Sequence, residues 1–295
     1  MGALIDRCQV HWQQINLAAF DCPNIWLVSL SEPVPGLAGN KIAKLDAAFD
    51  ALKAGQYQGI ATLGGAFSNH LLATAVACGL LGKPSLGLVR GQELDANNPS
   101  LQACRQQGMQ LIGLNRSQYA ERHNAAFIVH WQQQYPEYLW LPEGGSNEQG
   151  VAGVRLLDFH CSPAGPISHL VCAVGSGGTL AGLALGHPNI QLWGMSVVKD
   201  ASLSRKIQVL ALGQGNWQLM DAADKGYGRF KPEIWQFCQK LAEQGCQLEP
   251  IYTGKALYAL VQQLRTSPLP NNARLAFFHS GGLQGLAGLR YRGLI

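Results

Sequence analysis

The chain has 295 residues, of which 47% are hydrophobic and 14% are charged, so it is long enough for a large buried core and too apolar for a disordered tail. The net charge of +4 comes from scattered Lys and Arg without a block of like charge, which argues against a nucleic-acid partner and favours a small molecule. The 8 cysteines lie far apart and include no C-x-x-C pair, which argues against a zinc ribbon or a disulfide framework and suits a reducing cytosol.

The amino-terminal residues show no pattern of a targeting or membrane segment. The opening MGALIDR lacks the basic-then-apolar order of a signal peptide. No uninterrupted apolar run approaches the length of about 18 residues that a membrane helix needs. We therefore expect a cytoplasmic protein that binds neither membrane nor nucleic acid.

Short apolar or β-branched runs alternate with helical patterns along almost the whole chain. This alternation is typical of βαβ units and predicts an α/β fold with a parallel sheet. In the first half, strands are predicted at residues 24–30, 59–63, 84–90, 109–114 and 138–141. Helices are predicted between them at residues 42–54, 68–81, 100–107 and 119–134.

A glycine-rich junction, PEGGSN at residues 142–147, follows the last of these strands. A cluster of turn-forming residues near the middle of a chain is a candidate domain boundary. Beyond it, strands are predicted at residues 167–174, 190–197 and 274–278. A helix is predicted at residues 151–160, and a second one directly after a loop at 175–179. Later helices are predicted at residues 231–244, 255–265 and 283–291.

The strongest motif is the glycine-rich loop that follows the predicted strand 167–174. The sequence GSGGT places five residues at the start of a helix: Gly175, Ser176, Gly177, Gly178 and Thr179. Glycines let the backbone close around an anion, the two hydroxyls add donors, and the helix dipole favours negative charge. A phosphate site is therefore the favoured interpretation over a tight turn. The spacing matches neither the Rossmann G-x-G-x-x-G pattern nor a P-loop with its lysine.

Two further motifs stand at the starts of predicted helices. In LGGAFSNH, Ser68 and Asn69 follow a Gly-Gly pair in a βα turn, where a plain helix N-cap is the alternative to a ligand contact. In GLAGNKIAKL, Lys41 stands in the first turn and Lys44 lies one turn further on. A cation is unfavourable at a helix N-terminus, so an anionic cofactor would explain the pair; two solvated surface lysines are the alternative.

Two tyrosines give weaker signals. Tyr227 lies between glycines in KGYGR, and Tyr252 precedes Thr253 in EPIYTGK at the start of a predicted helix. Each motif alone is more often structural than functional. Their value lies in the order in which all the motifs follow one another.

That order is GNKIAKL, GGAFSNH, PEGGSN, GSGGTLAG, YG and YTGK, colinear between about residues 39 and 282. It resembles the fold type II enzymes that depend on pyridoxal 5′-phosphate (PLP), and within them the group of D-cysteine desulfhydrase and 1-aminocyclopropane-1-carboxylate (ACC) deaminase. The resemblance implies a two-domain, tryptophan synthase β-like α/β fold with PLP in the cleft and no metal. It also implies a small amino-acid substrate and a homodimer.

The predicted large, PLP-binding domain comprises residues 1–42 and 146–295, and the predicted small domain comprises residues 43–145. Lys41 is similar to the lysine that binds PLP covalently and, once substrate frees it, acts as a general base at the α-carbon. Lys44 is similar to a phosphate contact or to a helper residue beside Lys41. The other roles implied are Asn69 for the phenolic oxygen of PLP, Ser68 for the substrate amine or carboxylate, Gly175 to Thr179 for the phosphate, and Tyr227 and Tyr252 as acids or ring-stacking walls beside the substrate.

Thr253 is the most informative of these positions because it resembles the partner of the pyridine nitrogen. A carboxylate there would keep that nitrogen protonated, whereas a threonine hydroxyl can donate to an unprotonated nitrogen and leaves a weaker electron sink. In the family, Glu accompanies ACC deaminase and Thr accompanies the desulfhydrase. The resemblance therefore implies β-elimination from D-cysteine to pyruvate, sulfide and ammonia.

Three alternatives stay open at this point. ACC deamination to 2-oxobutanoate and ammonia is the nearest. A PLP-binding protein with little catalysis is a second, because Ala43 stands where the family commonly has arginine and residues 29–32 depart from its usual basic-then-acidic order. A nucleotide-dependent enzyme that uses the glycine loop is a third, and the missing fingerprint weakens it.

Overall fold

The computed structural model describes residues 4–224, 226 and 228–295. The strands within them, in chain order, are β1 Val10–Ile15, β2 Ile25–Leu30, β3 Gly59–Gly65, β4 Ser85–Arg90, β5 Met109–Leu114, β6 Tyr138–Trp140, β7 Cys161–Ser162, β8 Gly165–Pro166, β9 His169–Val174, β10 Gln191–Ser196, β11 Trp217–Asp221 and β12 Leu275–His279. The α-helices are α1 Asn40–Lys53, α2 Asn69–Gly79, α3 Pro99–Gln106, α4 Arg116–Ala120, α5 Ala125–Gln134, α6 Glu148–Arg155, α7 Gly178–Gly186, α8 Leu203–Leu210, α9 Pro232–Ala242, α10 Thr253–Thr266 and α11 Gly285–Tyr291. Short 3₁₀ turns occur at Ile5–Arg7, Ala18–Phe20, Glu121–His123 and Glu143–Gly145.

The described residues form two compact units. The first unit holds the residues up to Arg7, Glu32–Gly150 and Gln284–Ile295, and the second holds Cys8–Ser31 and Val151–Leu283. The domain boundaries at residues 42/43 and 145/146 stay a prediction, and the bounds of these units differ from them. Helix α1 runs unbroken over Asn40–Lys53, so a domain boundary after residue 42 would divide this helix between two domains.

The first unit is built on a four-stranded sheet in the order β5-β4-β3-β6. All three pairings are parallel, with Ile60 opposite Ser85 and Gly59 opposite Tyr138. Because a parallel sheet is covered on both faces, its strands read as continuous apolar runs, and β4 is buried from Ser85 to Val89. The carboxyl end of β3 leads through a short turn into α2, which places Ser68 and Asn69 there.

The second unit is built on a six-stranded sheet in the order β1-β2-β12-β9-β10-β11. The β1 and β2 strands pair antiparallel, and the other neighbours pair parallel. Its central strands are almost fully buried, and Phe237, Leu257 and Phe277 belong to the main core cluster of this unit. The carboxyl end of β9 leads into the glycine-rich loop and α7.

The α/β class with parallel-rich sheets is confirmed, while several elements differ from the prediction. The predicted helix at residues 119–134 is divided, because the Asn124 side chain accepts a hydrogen bond from Ala126 N at 3.0 Å and starts α5 anew. The helix predicted at residues 151–160 lies at Glu148–Arg155. Strands β1 and β11 and helix α8 were not predicted. Among the described residues, none of the helices is both long and apolar enough to span a bilayer.

Candidate active site

Lys41 lies in the first turn of α1, directly behind a glycine that the turn requires. Gly39 has φ 57° and ψ −139°, a backbone conformation that glycine adopts without steric cost. The Lys41 ammonium donates to the carbonyl of Gly144 at 3.4 Å. Desolvation by burial lowers the pKa of Lys41 to about 8, well below that of an exposed lysine. The side chain is therefore neutral in a large fraction of molecules in mildly alkaline solution.

Lys44 reaches the same carbonyl from one helical turn further on. Its ammonium donates to Gly144 O at 3.0 Å and to Ser146 Oγ at 2.8 Å. The side chain is buried, with 3% of its surface exposed, so it is not a solvated surface lysine. The PEGGSN motif thus has a visible role within the first unit: it gives the two lysines a shared acceptor.

Ser68 caps α2, as the plainer sequence interpretation predicted. Its hydroxyl oxygen accepts from His70 N at 3.2 Å and Leu71 N at 3.4 Å. Asn69 is the first residue of the helix and is half-buried. A cap uses the serine oxygen as acceptor and leaves its hydroxyl proton to be donated elsewhere, so capping and ligand binding are compatible.

His70 is the unexpected member of this group. It is 2% exposed, and both ring nitrogens lack a hydrogen-bond partner among the described residues. Desolvation, followed by the positive charges of Lys41 and Lys44, holds the pKa of His70 well below its usual range, so the ring is neutral. Gly145 has φ +63°, and a Cβ there would lie 2.9 Å from His70 Cε1, so this position accepts only glycine beside the imidazole.

In the second unit, the glycine-rich loop opens α7 as predicted. Gly177 is the residue before the helix, with φ 90° and ψ −22°. A Cβ on Gly177 would lie 2.7 Å from Ile207 Cγ1, so both the backbone angle and the space require glycine. Thr179 is buried and Ser176 is exposed. The loop lies at the N-terminus of a helix, where the first backbone N–H groups have no intrahelical acceptor, and this is an arrangement that binds anions.

Tyr252 packs beside this loop. A Cβ on Gly175 would lie 3.2 Å from Tyr252 Cε2, and the tyrosine hydroxyl donates to Ala173 O at 3.3 Å. The structure therefore brings together the predicted phosphate loop and one of the two predicted substrate-facing tyrosines. Tyr227, the other, lies outside the described residues.

Thr253 begins α10 and is bound to a buried carboxylate four residues earlier. Its hydroxyl donates to Glu249 Oε1 at 3.2 Å, and its backbone N–H donates to the same oxygen at 2.6 Å. The other carboxylate oxygen accepts from Ile251 N at 2.8 Å and Tyr252 N at 2.9 Å. Thr253 is 0% and Glu249 3% exposed. Burial raises the pKa of Glu249 to about 7, while these donors act to lower it.

Lys255 supports the segment around Tyr227. The residue is 1% exposed, and its ammonium donates to the carbonyls of Ala223 at 3.3 Å, Gly226 at 2.9 Å and Arg229. Three carbonyl acceptors for one buried cation are close to what an ammonium requires. The YTGK motif therefore connects the start of α10 to the backbone on both sides of Tyr227.

One cluster of metal-ligand side chains lies elsewhere in the second unit, at Asp158, His160 and His187. The His187 ring is fully engaged: Nε2 accepts from Phe159 N at 3.1 Å, and Nδ1 donates to Leu183 O at 3.0 Å. A neutral imidazole has one donor and one acceptor, so His187 offers no lone pair to a metal. Its role is to join α7 to the residues that follow α6.

Comparison with known proteins decides the family. Residues 34–281 match the family described as "Pyridoxal-phosphate dependent enzyme". This chain belongs to that family. It is 30% identical over 287 residues to a D-cysteine desulfhydrase of Klebsiella pneumoniae, covering 85% of this chain and 84% of that protein. It is 27% identical over 281 residues to the mitochondrial bifunctional D-cysteine desulfhydrase/ACC deaminase of Arabidopsis thaliana, covering 85% of this chain and 70% of that protein.

Among solved structures, an ACC deaminase homologue matches with a TM-score of 0.77 and 25% identity, covering 97% of this chain and 94% of that one. The chain is thus a PLP-dependent enzyme with the fold type II architecture. The relatives support PLP-dependent lyase activity, and their names differ in substrate.

The residues of each unit fit this cofactor. The first unit holds a desolvated lysine with a pKa near 8, the form of amine that reacts with an aldehyde. The second unit holds a glycine cradle that a Cβ at Gly177 would fill, at the N-terminus of a helix. An amine nucleophile and an anion cradle are the two features that covalent binding of a phosphorylated aldehyde requires.

His70, Glu249 and Lys255 were not assigned roles from the sequence. His70 directly follows Ser68 and Asn69, and this position in the motif was the signal in the sequence that could have marked it. Its burial near Lys41 and Lys44 depends on the fold. Glu249 stands four residues ahead of Thr253 and accepts from N–H groups at the start of α10, where the helix dipole favours a negative charge. The role of Lys255 depends on carbonyls about 30 residues earlier, and no local pattern indicates them.

Proposed function

We propose that this enzyme eliminates the leaving group from the β-carbon of a small amino acid, with D-cysteine as its substrate. One D-cysteine and one water then give one pyruvate, one hydrogen sulfide and one ammonia. The observation that carries the proposal is the place of the half-buried Lys41 amine, in the first turn of α1 and 3.4 Å from Gly144 O, where desolvation lowers its pKa to about 8 and so suits both covalent cofactor binding and proton abstraction. When bound, PLP supplies an electron sink for the pair left on the α-carbon as its proton departs.

Lys41 takes two roles in this proposal. Its neutral amine would hold the cofactor covalently, and the amine freed by substrate would accept the α-proton of the substrate. Its hydrogen bond to Gly144 O limits where that amine can lie. Lys44 holds Gly144 O and Ser146 Oγ, and thereby fixes the acceptor that both lysines use.

The remaining roles follow the residue types at each place. Asn69 binds the phenolic oxygen of the cofactor and Ser68 donates its hydroxyl proton to the substrate. The N–H groups of the Gly175 to Thr179 loop bind the phosphate. Tyr252 faces the substrate from beside this loop, and Tyr227 is proposed for the same role from the resemblance alone. Thr253 is the partner of the pyridine nitrogen.

The choice of D-cysteine rests on Thr253, the residue that accompanies the desulfhydrase in the family, and on the name of the Klebsiella relative. ACC deamination is the second candidate. The bifunctional name of the Arabidopsis relative and the structural likeness to an ACC deaminase homologue favour it. A homodimer and a cytoplasmic location are also proposed.

The cofactor part is tested by a visible spectrum of the pure protein, followed by borohydride reduction and peptide mapping. We expect a yellow protein whose reduced pyridoxyl group is on Lys41. A label on another lysine, or on none, would refute the assignment. The Lys44→Arg variant is a suitable control, because it keeps a cation at the neighbouring position and should leave the label on Lys41.

The substrate part is tested by assaying pyruvate, sulfide and 2-oxobutanoate with D-cysteine, L-cysteine and ACC. We expect pyruvate and sulfide in equal amounts from D-cysteine. Release of 2-oxobutanoate from ACC without pyruvate from D-cysteine would establish the second candidate instead. A yellow protein that is inert across a panel of D- and L-amino acids would support the PLP-binding protein with little catalysis.

A further inference from the structure

The C-terminal helix α11 packs closely against the turn that leads into α2. Phe67, the residue directly before Ser68, rests on Gly288 within this helix. A Cβ on Gly288 would lie 2.8 Å from Cε1 of the Phe67 ring and closer still to Cδ1, so the ring occupies space that only glycine leaves free. The guanidinium carbon of Arg292 lies 5.7 Å from the centroid of the same ring, within the range of a cation–π contact.

The backbone at Gly288 does not itself require glycine. Gly288 lies within the helix and has no positive φ. Glycine is less favourable than alanine inside a helix, because it loses more conformational freedom on folding. The close approach of the Phe67 ring is therefore the reason that the structure gives for a glycine at this position.

The turn that carries Phe67 is tight on the side of Ser68 as well. The backbone N–H of Ser68 donates to Gly65 O at 2.9 Å, which closes residues 65–68 into a turn with Phe67 at one corner. A Cβ on Gly64 would lie 2.6 Å from Ser68 Oγ, so the end of β3 and the serine side chain are in contact. Because Ser68 follows Phe67 directly and closes the turn, the place of the ring influences where the serine hydroxyl lies.

Helix α11 is anchored at both of its ends within the first unit. The side-chain amide of Gln284 donates to Gly36 O at 3.4 Å, in the loop that leads to Lys41. The hydroxyl of Tyr291 donates to the carboxylate of Asp95. The ring of Phe67 therefore packs against a helix that is itself held in place.

We propose that Phe67 and Gly288 are positioning residues, through which the C-terminal helix fixes the turn that presents Ser68 and Asn69. This rests on the proposed function, in which Ser68 donates to the substrate and Asn69 binds the cofactor. Phe67 and Gly288 take no part in the chemistry. They determine how accurately the turn is placed, and a hydrogen bond to a ligand weakens steeply when its geometry is disturbed.

The first test is amide hydrogen exchange of the apoprotein, which needs neither cofactor nor substrate. In Gly288→Ala the added methyl group displaces the Phe67 ring, so the amides of Ser68 and His70 should exchange about tenfold faster, as expected for one lost hydrogen bond. Gly285→Ala is the matched control, because it makes the same replacement in the same helix where a Cβ would meet nothing within 4 Å. Exchange in this control should match the wild type.

The second test is steady-state kinetics of the holoenzyme with the substrate that the wild type converts. A misplaced Ser68 hydroxyl weakens substrate binding, so KM should rise about tenfold in Gly288→Ala while kcat changes by less than about threefold. Gly285→Ala should have the KM of the wild type. Borohydride labelling of Lys41 in each variant shows that the cofactor is bound.

Phe67→Ala removes the ring itself from a half-buried position and should raise KM and speed exchange in the same way. It decides the question alone if Gly288→Ala does not fold. Where both variants fold, Gly288→Ala should add no further effect in the Phe67→Ala background, because no ring is left to displace.

Unchanged exchange or unchanged KM in Gly288→Ala would overturn the inference, as would full and independent effects of the two replacements in the double variant. Each of these results can be obtained with an active wild type that is labelled on Lys41, so each leaves the proposed function intact. A wild type that converts none of the substrates would instead overturn the proposed function. The exchange experiment on the apoprotein would still decide whether α11 holds the turn.

Discussion

Replacing Gly177 by alanine tests whether the glycine loop is a cofactor cradle or only a tight turn. Gly177 has φ 90°, in the left-handed region where an L-residue costs about 1–2 kcal/mol. A Cβ would in addition lie 2.7 Å from Ile207 Cγ1, closer than atoms pack, so the loop or α8 must move. Overpacking of this kind costs about 1–3 kcal/mol.

The chain offers a matched control in Gly213. It lies in the same unit with φ +81°, and a Cβ there would meet nothing within 4 Å. Gly213→Ala therefore has the backbone cost without the clash. Thermal unfolding of the two apoproteins should show both variants destabilised, with Gly177→Ala lower by about 1–3 kcal/mol.

The decisive measurement is PLP affinity, from titration of each apoprotein followed by absorbance. If the loop backbone binds the phosphate, displacing it by the clash should weaken binding by about tenfold for each 1.4 kcal/mol lost, so about 5- to 150-fold. Gly213→Ala should bind PLP as the wild type does. Equal affinity in Gly177→Ala and Gly213→Ala would refute the cradle and leave the loop as a turn.

Three further outcomes are expected. Lys44→Met removes two hydrogen bonds from a buried site, so it should lower the free energy of unfolding by about 1–3 kcal/mol and weaken PLP binding. Lys53→Met, at an exposed position of the same helix, should change neither. Unchanged PLP affinity in Lys44→Met would contradict the role of Lys44. Only the neutral amine of Lys41 reacts, so the rate of PLP capture by the apoprotein should rise about tenfold from pH 7 to pH 9 and then level off. A rise of about a hundredfold over the same pH range would indicate an ordinary lysine pKa. Lys255→Met leaves the carbonyls of Ala223, Gly226 and Arg229 without their cation and should speed exchange of the amide hydrogens that flank them at residues 224 and 226. Exchange there as slow as in Lys53→Met would show that Lys255 does not hold this backbone.

The features that could be predicted from the sequence are those that local chemistry determines. The Ser68 cap and the glycine opening of α7 depend on a few consecutive residues, and a helix N-terminus has the same unsatisfied N–H groups wherever it occurs. The buried parallel strands are marked by continuous apolar runs. The α/β class was predictable for the same reason, since each βα unit carries its own pattern.

What could not be predicted depends on contacts between distant parts of the chain. The shared acceptor of the two lysines, Gly144 O, lies about 100 residues after them, and no spacing rule connects a lysine to a backbone carbonyl. The burial of Lys44 depends on packing and changes a surface residue into part of the site. Strand β11 is short, with exposed and half-buried residues, and gave too weak a periodic signal to be recognised.

Thr253 shows why residue type alone does not determine the electronic state that a side chain favours in a bound cofactor. A hydroxyl is both donor and acceptor, so the identity of threonine leaves the direction of its hydrogen bond open. Its neighbours decide that direction, and among the described residues the Thr253 hydroxyl lies 3.2 Å from the carboxylate of Glu249. Glu249 and the ring nitrogen of a bound cofactor would compete for one hydroxyl proton, so the chemistry proposed for position 253 is a property of the Thr253–Glu249 pair. Substrate choice between D-cysteine and ACC should therefore be tested at Thr253 together with Ser68 and Tyr252, the residues proposed to face the substrate.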